Sequence, residues 1–171
     1  MNSGERVVLM GTGPFASVKT GFQLSVAGRT NGHLATVIAD HPLVNDIPND
    51  GYCGWQFRNM LDSRAALLDI RRIPHRPIVD IASSYKNAHR EAMLFEYGVG
   101  EGKLLVCTLN LDNSDPGALW LSERIKEYAM SDAFDPRDTI TAAELYDLCS
   151  AESVKDGKNE NAAQNKNDIT M

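Results

Sequence analysis

Two apolar runs joined by a glycine-rich connection, REAMLFEYGVGEGKLLVCTLNLD (Arg90 to Asp112), limit the possible folds more than any other stretch of the chain. In the first run Ala92, Leu94 and Glu96 alternate with Met93, Phe95 and Tyr97, and KLLVCTLNL is equally strand-like. Side chains that alternate in this way line opposite faces of a sheet. Glycines between the runs can take positive φ, so the connection reads as a β-hairpin turn. The same residues, GVGEGKLLVC (Gly98 to Cys107), come closest in the chain to a phosphate-cradling loop. Such a loop requires a leading glycine, a Ser or Thr after its lysine, and a helix to follow. Here Tyr97 holds the first position, Leu104 follows Lys103, and a strand comes next. GTGPF (Gly11 to Phe15) follows a strand as a dinucleotide fingerprint would, but it lacks the third glycine, and Pro14 removes a backbone donor. It reads as a turn.

Around the hairpin the pattern is that of an α/β domain. RVVLMG (Arg6 to Gly11) reads as a buried strand, and HLATVIAD (His33 to Asp40) as a second one, stopped at His41 and Pro42. From Tyr52 to Asp62 the period changes. Trp55, Asn59 and Asp62 fall on one helical side and Tyr52, Gln56, Phe57, Met60 and Leu61 on another, which predicts a helix of about three turns. RAALLDI and RPIVDIA (Arg76 to Ala82) predict two more strands. Asp115 as N-cap with Pro116 at the first helical position opens a helix carrying Leu121, Ile125 and Tyr128 at helical spacing, with Ala118 and Ala129 alongside. Thr141 and Glu144 form a capping box ahead of Leu145, Leu148 and Cys149. From Ser150 the chain is polar and without period. The reading is a single α/β domain over 1–149, a layered mixed sheet with helices against its faces and an antiparallel hairpin, and a disordered polar tail over 150–171. A chain of 171 residues accommodates one such core.

Composition excludes several classes of function. No apolar run approaches the roughly 20 residues that cross a bilayer, so no membrane partner is expected. The first residues lack a signal-peptide core. A net charge of −6 argues against nucleic acid, whose backbone is held by clustered Lys and Arg. Cys53, Cys107 and Cys149 are odd in number and widely spaced, so they read as reduced, buried thiols of a cytoplasmic chain. Cys53, near the start of the expected helix, is the one thiolate that a helix dipole could favour. The histidines His33, His41, His75 and His89 show no metal-ligand spacing. Neither a metal nor a cofactor is expected. Carboxylates do gather where strands end, at Asp40, Asp69 and Asp112, with Asp80 and Glu96 inside strands. Asp40, Asp69 and Asp112 are the candidates for a catalytic acid–base pair, against the plainer reading of turn and cap residues. Tyr52, Trp55 and Trp120 are the candidates for stacking on a sugar ring, against the plainer reading of core aromatics.

The segment HPLVNDIPNDGYCGWQFRNML (His41 to Leu61) runs His-Pro, an apolar residue, a short spacer, Pro, then Trp-Gln at a helix start. This order resembles a segment in the C-terminal α/β domain of glycoside hydrolase family 2 type, β-galactosidase-like proteins. The likeness continues through RPIVDIASSYKNAHREAMLFEYGVGEGKLLVCTLNLD and LSERIKEYAMSDAFDP, covering about Gly4 to Leu148. It implies a class I glutamine amidotransferase-like, flavodoxin-like fold without that group's cysteine elbow. In such hydrolases the catalytic carboxylates lie on a separate (β/α)₈ barrel, so the resemblance carries over no catalytic residue. It implies a non-catalytic accessory domain, or a detached C-terminal fragment, whose partner is the catalytic domain or subunit of a glycoside hydrolase. The alternatives are a small stand-alone glycan hydrolase using the strand-end carboxylates, and a sugar-binding module using the aromatics. The related domains carry a further strand and helix before the region equivalent to NSGERVVLMG. A sheet truncated there would leave an exposed edge open to self-association.

Overall fold

The computed structural model describes residues 4–22, 35–82 and 89–152. His33, at the head of the second expected strand, and tail residues 153–171 lie outside the described residues. The hairpin forms as the alternation requires. Strand β6 (Glu91–Val99) and β7 (Gly102–Cys107) pair antiparallel from Leu94↔Cys107 to Val99↔Gly102, and Gly100 turns the chain at φ 59°.

The remaining strands are β1 (Arg6–Met10), β2 (Ser17–Lys19), β3 (Ala35–Ile38), β4 (Arg64–Leu67), β5 (Val79–Ala82) and β8 (Thr139–Ile140). They make one open, mixed and mostly antiparallel sheet with β6 as its hub; only the β1–β7 and β6–β8 pairings among the described residues are parallel. Ala92 is shared by β4 and β5, and Leu94 by β5 and β7. A residue has only two edges to pair with, so β5 lies across β6 from both β4 and β7.

Consecutive residues Val79 and Asp80 of β5 face Leu94 and Ala92, which skips Met93. This extra residue is a β-bulge, and it reverses the alternation upstream of it. Strict alternation would put Ala92 with Leu94. Instead Ala92 joins Phe95, Tyr97, Leu104 and Val106 on one face, while Met93 joins Leu94, Leu105 and Cys107 on the other.

Both faces are covered. Helix α1 (Pro116–Met130) lays Ala118, Leu121, Ile125, Tyr128 and Ala129 on the Leu94 face. Helix α2 (Ala142–Cys149) presses Leu148 onto the Phe95 face. Local chemistry fixes both starts. Asp115 accepts from the amides of Gly117 and Ala118, and Thr141 and Glu144 exchange both bonds of a capping box. Gly98 allows β8 to close on β6, since a Cβ there would stand 2.9 Å from Thr139 Cγ2.

Two expectations are corrected. The helix expected over Tyr52 to Asp62 is a single 3₁₀ turn, Trp55–Phe57, followed by irregular turns. Phe57, Met60 and Leu61 are still buried, and tertiary partners hold the segment at both ends: the Cys53 amide donates to Thr36 Oγ1, and the Met60 carbonyl accepts from the Asn110 amide. The strand at Arg6 to Met10 forms but is not buried. It pairs only with β7 among the described residues and leaves Val7, Val8 and Met10 exposed.

Candidate functional site

The strand directions sort the acidic residues. β3 runs antiparallel to β5, β5 to β6, and β6 to both β4 and β7. The end of β3 therefore lies at the opposite end of the sheet from the ends of β4 and β7. Asp40, which follows β3, is thus kept away from Asp69 and Asp112, which follow β4 and β7. The three candidates do not converge.

At the β4 and β7 end the carboxylates tie loops to backbone. Asp69 Oδ1 accepts from the Arg90 amide at 2.7 Å, and Asp69 Oδ2 lies 2.6 Å from His89 Nδ1. Asp112 caps a turn by accepting from the Ser114 amide at 2.9 Å, which holds its carboxyl below the usual range.

The other end holds a cleft of about 510 Å³, built from the loops after β3 and before β5, from β6, and from the segment after α1. Asp40, His41, His75, Asp80, Glu96 and Tyr128 all line it. A loop tightened by turns carries Asp40 and His41: Asn45 Nδ2 donates to Asp40 Oδ1 at 2.9 Å, and Leu43 and Val44 anchor it in the core. The Leu43 amide donates to His41 Nδ1 at 3.2 Å, so the neutral ring carries its proton on Nε2. That nitrogen stands 3.5 Å from Glu96 Oε1. Tyr128 donates its hydroxyl to Glu96 Oε2 at 3.0 Å, and burial followed by the Glu96 charge raises its pKa well above the ordinary phenol value. Glu96 is therefore an oriented carboxylate with one partner from each side of the cleft.

Two further pairs complete the lining. His75 Nε2 lies 3.2 Å from Asp80 Oδ1. The exposed Arg76 grips the buried Asp138 with both Nε and Nη2. Behind them the Tyr97 hydroxyl, pushed up to about 12 mainly by burial, donates to the Pro74 carbonyl. At the rim Lys103 reaches the exposed Asp135 at 2.9 Å and holds its carboxyl below the usual range. No group of three or more His, Cys, Asp or Glu residues suited to a metal ion occurs among the described residues. A second cavity of about 530 Å³ lies beside Val99 and the start of α2, but its ionisable side chain, Glu144, is consumed by the capping box.

The aromatic candidates also separate. Trp55 is 73% exposed, with Phe22 at 5.1 Å and the Arg58 guanidinium at 5.6 Å from its ring, and Tyr52 is exposed as well. Trp120 packs partly buried against the core. Cys53 is no activated thiol: burial pushes it up to about 11, and Cys107 up to about 12. Of the residues that build the cleft, the sequence singles out Asp40, Asp80 and Glu96. His41, His75, Tyr128, Arg76 and Asp138 carry no local signal, since three distant segments meet only when the sheet closes.

The fold and cleft define an α/β domain with an open mixed sheet, an exposed edge at β1 and a polar cavity at the far end of its hub strand. The chain belongs to the family described as a domain of unknown function (DUF8487), which matches residues 1–150. No curated protein matches the sequence. No helix among the described residues is long and apolar enough to cross a membrane.

Proposed function

We propose that this chain is a non-catalytic accessory domain, or the C-terminal part, of a carbohydrate-active glycoside hydrolase, built on a flavodoxin-like, class I glutamine amidotransferase-like plan. The observation that carries this reading is the outer edge of β1. The Lys103 amide donates to the Glu5 carbonyl and the Gly11 amide to the Cys107 carbonyl, so the odd-numbered residues bond to β7. The backbone groups of Arg6, Val8 and Met10 then point outward, flanked by exposed Val7, Val8 and Met10. An apolar edge of this kind fits a docked partner better than open solvent. The partner is the catalytic domain or subunit of the hydrolase, with self-association through the same edge as the default when it is absent. Of the three strand-end candidates, Asp40 stands at the opposite end of the sheet from Asp69 and Asp112, and the latter two are engaged with the Arg90 and Ser114 amides. This supports the non-catalytic role, because glycoside hydrolysis requires two carboxyl groups within about 10 Å across one bond. The three free thiols favour a reducing, cytoplasmic setting.

The test is co-purification with a barrel hydrolase encoded beside this chain, alongside turnover of chromogenic glycosides by the chain alone. A complex lost on Val8→Lys, with no turnover by the chain alone, is expected. Turnover by the isolated chain that disappears in Asp40→Asn would instead make it the stand-alone hydrolase.

A further inference from the structure

We propose that the cleft between His41, Glu96, Tyr128 and the His75–Asp80 pair binds a neutral, hydroxyl-rich small molecule of the size of a mono- or disaccharide. The inference goes beyond the docking role and concerns different residues: no residue of β1 lines the cleft, and β1 reaches its neighbourhood only through Arg6, which donates to the Ala129 and Ser131 carbonyls. The cavity of about 510 Å³ falls inside the range of small-molecule sites.

Its chemistry narrows the ligand class, and the organic cation that its charge would also admit serves as a control in the titration. Five carboxylates line or back it, Asp40, Asp80, Glu96, Asp135 and Asp138, against the cations Arg76, Arg137 and Lys103, so an anion meets surplus negative charge. A metal ion finds no suitable group of ligands among the described residues. An apolar ligand would strip water from oriented carboxylates without replacing their hydrogen bonds. Hydroxyl groups do replace them. Glu96 is held by Tyr128 and faced by His41, yet a carboxylate has about four lone-pair sites, so capacity remains for two further donors. Asp80 and Asp40 each spend one oxygen on a neighbour, leaving the other for a hydroxyl proton. Tyr128 is fixed as a donor to Glu96, so the carboxylate is oriented before any ligand arrives. These acceptors surround one space, as the recognition of a polyol demands. An aromatic platform is not needed, and Trp55 lies outside the lining.

The experiment is an amide NMR titration of the full chain with D-glucose, D-galactose and sucrose at millimolar concentration. At least one sugar is expected to shift a contiguous set of amides at His41, Asp80, Glu96 and Tyr128. Glu96→Gln and Asp80→Asn, each nearly isosteric, are expected to weaken that sugar about tenfold while amides of β1 stay in place. If one variant fails to fold, the other decides. No shift with any of the three sugars, shifts that survive both substitutions, or a stronger response to tetramethylammonium ion would overturn the proposal. None of these outcomes bears on whether β1 docks to a hydrolase.

Discussion

The two ends of the sheet carry the same residue types to different effect. At the end where β4 and β7 finish, Asp69, Asp112 and Asp115 each accept from backbone amides, at Arg90, Ser114 and the first turn of α1, and Asp69 and Asp115 also hold the His89 and Asn59 side chains. At the end where β3 finishes, Asp40 and Asp80 bond the side chains of Asn45 and His75, five residues away, and Glu96 meets Tyr128 and His41 from other segments, all around one open cavity. What separates the two sets is what they face: the first are closed onto backbone amides, and the second line an open cavity.

The comparison can be broken most severely at the segment that closes the cleft. Phe134 is fully buried and packs 5.4 Å from the Tyr128 ring, so Phe134→Ala is expected to cost about 3–5 kcal/mol in urea unfolding and to loosen the cleft. A smaller effect follows from Tyr128→Phe. It removes the donor to the half-buried Glu96 and is expected to cost about 1–2 kcal/mol, with the Glu96 amide shifting while Asp69 and Asp112 amides do not. At the other end Asp115→Ala is expected to cost about 1 kcal/mol at neutral pH as a lost N-cap. The folded pKa of Asp115 is depressed, chiefly by the Asn59 side chain, so its contribution is present above the ordinary carboxylate range and is lost as pH falls through the folded value. Unfolding curves of wild type and Asp115→Ala should therefore converge in acid. The smallest effect belongs to Trp55→Ser, expected within about 0.5 kcal/mol because the ring is largely in solvent. A loss of sugar response in that variant would move the binding surface to the aromatics.

What could be read from sequence divides along the same line. Both helices announce themselves locally, through Asp115 and Pro116 in one case and Thr141 and Glu144 in the other, and the structure has them at Pro116–Met130 and Ala142–Cys149. The hairpin is equally local. The segment from Tyr52 to Asp62 misleads because Phe57, Met60 and Leu61 are buried at helical spacing in a run of short turns, with the Met60 carbonyl held by the Asn110 amide. Met93 inserts a bulge that no alternation reveals, and β1 reads as apolar whether it lies at the centre or at the edge. Asp40, Asp80 and Glu96 could be noticed as acids, but not the meeting of Glu96 with His41 and Tyr128, nor the shared cavity, which depend on strand order.

Asp69→Asn and Asp80→Asn, compared side by side in urea unfolding and in the same sugar titration, test most directly whether the two ends do different work. The account predicts that Asp69→Asn loses about 1 kcal/mol of stability and keeps the sugar response, whereas Asp80→Asn keeps its stability and loses the response. The opposite assignment, or two variants that behave alike, would contradict it.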